Sequence, residues 1–133
     1  MFSHFTIKDA NEVLPTVIKK FKNIVNLKDQ AVLIQSEMET NSKYMANFKD
    51  YVIKKQELNT VMSNFYKAIE DLENMGIMIK SIEEGLLDFP SIRFNEEVFL
   101  CWKEGETEIK FWHGKDEGFM GRKPLSVSDE SLV

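Results

Sequence analysis

Val98-Phe99-Leu100-Cys101-Trp102-Lys103-Glu104-Gly105-Glu106-Thr107-Glu108-Ile109-Lys110-Phe111-Trp112-His113 alternates short apolar and polar steps on either side of a glycine-containing break, the pattern of a β-hairpin. If Gly105-Glu106 is a two-residue turn, Lys103 faces Glu108, Trp102 faces Ile109, Leu100 faces Phe111 and Phe99 faces Trp112. Val98, Leu100, Trp102, Ile109, Phe111 and His113 then share one face, expected against helices. Phe99, Cys101 and Trp112 fall on the other. That second face is too apolar for water alone, so it calls for cover from the Phe119-containing tail, a partner subunit or a ligand.

Upstream the same period of two persists. Ile77, Ile79 and Ile82 suggest a first strand, Gly85 a turn, and Phe89 to Phe94 a second strand with Pro90 at its start or on an edge. Residues 77–125 therefore read as a small antiparallel β-meander with a tail, and 126–133 as a solvated, frayed terminus.

Before Gly76 the period is helical. Thr6 with Asp9 resembles an N-cap with an acidic N3 residue, and Pro15 points to a short helix followed by a long one. Leu14, Val17, Phe21, Ile24, Lys28, Ala31, Gln35 and Met38 then recur three and four apart, and Glu39-Thr40-Asn41-Ser42 ends the run. A second helix follows on Tyr44, Phe48, Tyr51, Lys55, Leu58, Met62, Phe65, Ile69 and Leu72, with Gly76 as its left-handed C-cap. The fold class is α+β: a long N-terminal antiparallel helical hairpin (6–75) followed by the meander, within a single domain (1–133).

The hairpin carries more apolar surface than a narrow two-helix seam covers. Ile18, Val25 and Val32 form one flank, Leu27 and Ile34 another, and Met45, Val52, Val61 and Ala68 extend the second helix. A second copy is the economical cover, so a homodimer built as a four-helix bundle is expected.

Composition narrows the function classes. With 43% hydrophobic and 29% charged residues the balance is that of a water-exposed globular chain, and no apolar run approaches the ~20 residues needed to cross a bilayer. No membrane role is expected. The net charge of −5 disfavours nucleic acid, because phosphate binding requires a basic stripe. A lone Cys101 and an N-terminus without basic and apolar leader regions indicate the cytoplasm.

Candidate chemistry gathers after the hairpin. His113, Asp116 and Arg122, with Gly118 and Gly121 between them and Trp112 and Phe119 as walls, could hold a small anionic ligand, or Arg122 could pin the tail by pairing with Asp88, Glu106 or Asp116. No cofactor is expected, and no metal: Cys101, His113, His4 and Asp88 lack paired ligand spacing, and the register above places Cys101 and His113 on opposite faces. A mid-strand cysteine is ordinarily inert, so no catalytic set is assigned. The Trp112–Arg122 surface could equally meet a protein partner.

Gly85-Leu86-Leu87-Asp88-Phe89-Pro90, Glu97-Val98-Phe99-Leu100-Cys101-Trp102-Lys103-Glu104-Gly105-Glu106, Ile109-Lys110-Phe111-Trp112-His113 and Gly118-Phe119-Met120-Gly121-Arg122-Lys123-Pro124-Leu125 closely resemble the prokaryotic family catalogued as domain of unknown function 2203. The opening Phe5-Thr6-Ile7-Lys8-Asp9-Ala10-Asn11-Glu12-Val13-Leu14-Pro15 is similar as well. The resemblance implies a role for the C-terminal words but no activity, substrate or cofactor. One departure is Asn95-Glu96, where relatives tend to place a glycine-containing turn, so a longer or looser loop is expected there.

Overall fold

Thr6 and Asp9 start the first helix as a reciprocal pair. The Asp9 N–H donates to Thr6 Oγ1 at 2.9 Å and the Thr6 N–H to Asp9 Oδ2 at 3.3 Å, so Asp fills the place Glu or Gln takes in a capping box. The structure, a computed structural model, describes residues 4–125, and the terminus expected to fray at 126–133 lies outside them.

Helix α1 then runs Ile7–Thr40 without interruption, which corrects the expectation of a restart at Pro15. Pro15 denies a bond only to the Asn11 carbonyl, and buried Leu14 and Val17 anchor the helix on either side of it. The second helix, expected as one run from Tyr44, is divided into α2 (Lys43–Ala46) and α3 (Phe48–Glu73). Asn47 separates them. Its backbone is extended and its Oδ1 accepts the Asp50 N–H at 3.2 Å, so it caps α3 instead of continuing α2. Gly76 closes α3 as expected, at φ +91° with its N–H on the Glu73 carbonyl at 2.9 Å.

The chain divides into two compact units, one of residues up to 19 together with those from 72 on, the other of residues 20–71. In the second unit α1 and α3 run antiparallel. Ala31 and Ile34 pack with Leu58, backed by Met38, Val61 and Met62. One turn further along α1, Glu37 meets Lys54 at 3.0 Å. Two carboxylates hold the Lys54 ammonium above the usual lysine range, Glu37 first and then Glu57.

The first unit holds a five-stranded antiparallel meander in the order β1-β2-β3-β4-β5, with β1 Met78–Ser81, β2 Leu86–Arg93, β3 Glu96–Lys103, β4 Phe111–Gly114 and β5 Lys123–Pro124. Leu87, Phe89, Leu100 and Trp102 are buried on one sheet face, and Phe5 meets Phe89 edge-on at 5.2 Å. Phe5 also binds β2 through its backbone, its N–H on the Pro90 carbonyl and its own carbonyl accepting Ser91 Oγ–H, both at 2.6 Å.

Two turns differ from expectation. Between β2 and β3 the loop is not long. Arg93 pairs with Glu96 directly, and Phe94 (φ +52°) and Asn95 (φ +64°) form the turn, both left-handed as a type I′ hairpin requires. The turn has moved one residue toward the N-terminus, and Asn95 tolerates it where Glu96 would not. Between β3 and β4 the tight turn is centred on Glu104 and Gly105 (φ +104°), closed by the Glu106 N–H on the Lys103 carbonyl at 3.0 Å. Pairing does not resume at once: the Ile109 N–H goes to Asn11 Oδ1 at 2.7 Å, and β4 begins at Phe111.

Candidate functional site

That delayed re-entry sets which side chains meet. Leu100 faces Trp112, Cys101 faces Phe111 and Phe99 faces His113, one residue out of step with the register read from the sequence. A slip of one residue exchanges the two faces of a strand. His113 and Phe111 therefore lie on the face of Phe99 and Cys101, while Trp112 joins Val98, Leu100 and Trp102. The placement of Cys101 and His113 on opposite faces is thereby corrected. On the other side of β3, Cys101 faces Asp88 of β2. Three neighbouring strands thus bring Asp88, Cys101 and His113 together on one face.

All three are buried, at 1%, 2% and 2% exposure, and one donor atom from each lies within 4.8 Å of the other two. His113 Nε2 is 3.0 Å from Asp88 Oδ1 and Nδ1 is 2.9 Å from the Gly114 carbonyl. A carbonyl only accepts, so Nδ1 carries a proton; a proton also lies between Nε2 and the carboxylate. Both ring nitrogens are occupied, leaving none to deprotonate Cys101. Burial pushes the Cys101 thiol up to about 11, so the cysteine is no activated nucleophile in this arrangement. Asp88 Oδ2 is buried and has no hydrogen-bond partner among the described residues.

A cavity of about 230 Å³ reaches this cluster, lined also by Lys80, Ser81, Glu84, Leu86 and Phe119. The tail lies over Phe111 on the same face. Arg122 stacks its guanidinium 3.9 Å from the Phe111 ring centre and 4.6 Å from that of Phe119, and donates through Nη2 to both oxygens of Glu106 at 2.9 and 3.0 Å. Of the three carboxylates weighed for Arg122, Glu106 is the one engaged. His113 and Arg122 thus serve different carboxylates.

The other candidates are dispersed. Trp112 lies on the opposite face, its ring met by Arg93 at 4.4 Å and Lys123 at 4.8 Å. Asp116 lines an open groove of about 590 Å³ with Glu96, Glu97, Lys115 and Glu117. Gly118 precedes a 3-10 turn at Phe119–Gly121, whose Gly121 N–H bonds the Gly118 carbonyl, so that amide is used within the turn. Glu117 accepts from the Lys123 ammonium at 2.6 Å and the Gly114 N–H at 2.8 Å. Lys123 first, then that backbone donor, holds its carboxyl below the usual range.

Asp88 and Cys101 stood outside the candidate site read from the sequence. The hydrophobic pattern could not place them, because Phe111 and Trp112 are both aromatic and either register sets an apolar residue opposite Leu100. What sets the register is the connection, which carries no sequence signal of its own: a buried Ile109 held by Asn11 rather than by the ladder shifts the pairing by one.

The family model described as an uncharacterized conserved protein, DUF2203, matches residues 3–125. No curated protein and no solved structure matches the chain.

Proposed function

The chain belongs to the uncharacterised conserved family DUF2203, and from that premise we propose that it is a homodimeric interaction module assembled through its helical unit. The observation that carries this reading is the apolar surface of residues 20–71. Val32 is 60% exposed, Leu33 61%, Met45 84% and Phe48 80%, and Ile53 and Tyr66 are also open. Met45, Phe48 and Tyr51 follow one another at three-residue spacing, with the Phe48 and Tyr51 rings stacked at 6.5 Å. Scattered exposed apolar residues need no explanation, but a set this dense on one pair of helices marks a surface that associates. A second copy supplies a matching surface through a two-fold axis, extending two antiparallel helices to four.

The C-terminal words of the family supply the surface offered to a partner. His113 is buried, so the presented side chains are Lys115, Asp116, Glu117 and Met120, the last 95% exposed. Among the described residues no helix is long and apolar enough to cross a membrane, and a free buried Cys101 fits a reducing, cytoplasmic setting. The second reading, a small-anion site using His113 and Arg122, draws less support because Arg122 is held by Glu106.

Sedimentation equilibrium on the full chain tests the dimer. The expected mass is twice that of the chain at micromolar concentration, falling to one copy in Val32→Glu/Phe48→Glu. A wild-type monomer at that concentration refutes the reading.

A further inference from the structure

The Asp88–Cys101–His113 cluster has a feature that internal hydrogen bonding leaves unresolved. A buried carboxylate oxygen without a partner forfeits its hydration with nothing in return, and native folds retain few of them. Asp88 Oδ2 is such an atom, and its carboxylate group clusters with a thiol and an imidazole, the two side chains that bind borderline-soft metals best. We propose that Asp88, Cys101 and His113 are the three protein ligands of a divalent, zinc-class metal ion whose fourth coordination position opens onto the cavity lined by Ser81, Glu84 and Phe119.

Four observations fit. The donor atoms already lie within 4.8 Å of one another, and a tetrahedral ion with bonds of about 2.0–2.3 Å spaces its ligands about 3.5 Å apart, so small side-chain shifts close the site. His113 presents Nε2 inward while Nδ1–H is held by the Gly114 carbonyl, the outer hydrogen bond that fixes ring orientation and tautomer in metal-binding histidines. The ligands stand on adjacent strands of one sheet, which fixes their Cα positions; only side-chain torsions need to adjust. Charge also balances: a thiolate, a carboxylate and a neutral imidazole sum to minus two, so a divalent ion gives a neutral complex in a buried setting.

Binding releases the thiol proton of Cys101 and the proton between Nε2 and Oδ1 to solvent. Asp88 then turns from a partner of His113 into a neighbour at the same ion, and its second oxygen gains an electrostatic partner. Three protein ligands and one open position are the arrangement of a catalytic rather than a purely structural zinc site. A cavity of about 230 Å³ leaves room for water or a small ligand at that position, with Glu84 and Lys80 on its wall. The metal site does not depend on the dimer, since all three ligands come from one copy of the sheet unit.

Cobalt titration of the full chain, stripped with chelator and dialysed, is the direct test. The expected result is one equivalent of Co²⁺ giving tetrahedral visible bands and a near-ultraviolet thiolate-to-cobalt charge-transfer band, both lost on adding one equivalent of Zn²⁺. Cys101→Ala abolishes the charge-transfer band, and His113→Gln weakens binding at least about tenfold. Melting in the presence and absence of Zn²⁺ guards against misfolding: wild type gains melting temperature and Cys101→Ala, with native circular dichroism, gains none. A weak octahedral cobalt spectrum without charge transfer, or a spectrum unchanged in Cys101→Ala, overturns the site. So does zinc stabilisation that is equal in the two proteins, since a merely structural cysteine would leave it intact.

Discussion

The sheet unit buries an aromatic and aliphatic core from both ends of the chain, from Phe5 and Leu14 to Phe89, Leu100 and Trp102, whereas among residues 20–71 only Phe21, Ile24, Ala31, Ile34 and Leu58 are buried apolar side chains. The difference lies in geometry. A strand covered on both faces, as β2 and β3 are around Asp88 and Cys101, shields residue after residue, while two helices packed side by side shield little more than their seam. Residues that carry chemistry can be held to a fraction of an ångström only where packing is dense, and the three-residue cluster is in the sheet unit. Residues left open to solvent can recruit a partner, and most of those are in the helical unit.

The largest test of this contrast is a deletion in each unit. Trp102 is fully buried and donates its indole N–H to the Glu106 carbonyl at 2.8 Å, so Trp102→Ala is expected to cost about 3–5 kcal/mol in urea unfolding. Val32→Ala, on the open helical surface, is expected to change the dilute chain by less than about 0.5 kcal/mol. Equal costs would mean that Val32 is covered even in dilute solution, and the contrast would fail.

Next in size is a backbone effect within the sheet unit. Gly85 has φ +69°, and a Cβ there would stand 2.5 Å from the Glu104 Cβ, across a bridge in which the Glu104 N–H donates to the Gly85 carbonyl at 2.8 Å. Neither atom is the far end of a flexible chain. Gly85→Ala is expected to lower stability by roughly 2–4 kcal/mol from left-handed strain and overpacking together, read as a shifted urea midpoint with unchanged slope. A neutral Gly85→Ala would show that the turn into β2 can move, and with it the register that places Asp88 opposite Cys101.

How far this contrast was readable beforehand depended on the kind of signal. Thr6 with Asp9, Gly76, the change of period after α3 and the α+β order were all legible, because each rests on a local stereochemical preference. Pro15 misled because its cost is one hydrogen bond, which a 34-residue helix anchored by Leu14 and Val17 absorbs. Asn47 was hidden because the apolar spacing keeps phase from Tyr44 through Phe48 to Tyr51. The candidate site was the least legible part. Its members span three strands, and their convergence depends on the parity of a pairing that Phe111 and Trp112 leave ambiguous.

The smallest expected effects separate the units by pH. In the sheet unit, Lys123 and the Gly114 N–H lower the Glu117 pKa on folding. A depressed carboxyl contributes stability that is present above its unfolded value of 4.5 and is lost as pH falls through the folded value. In the helical unit, Glu37 and then Glu57 raise the Lys54 pKa, so its contribution is complete below the unfolded value of 10.5 and is lost as pH rises through the folded one. Glu117 is exposed and Lys54 lies half-buried at the surface, and solvent screening keeps each contribution small. Because both tryptophans belong to the sheet unit, fluorescence reports that unit while far-ultraviolet circular dichroism is dominated by the helices. Glu117→Gln is expected to flatten the acid limb of the fluorescence-monitored stability profile and leave the alkaline limb unchanged. Lys54→Met is expected to flatten the alkaline limb of the dichroism profile alone. If each substitution altered both signals equally, the two units would be unfolding as one cooperative body, and the sheet's denser packing would be supporting the helices as well as itself.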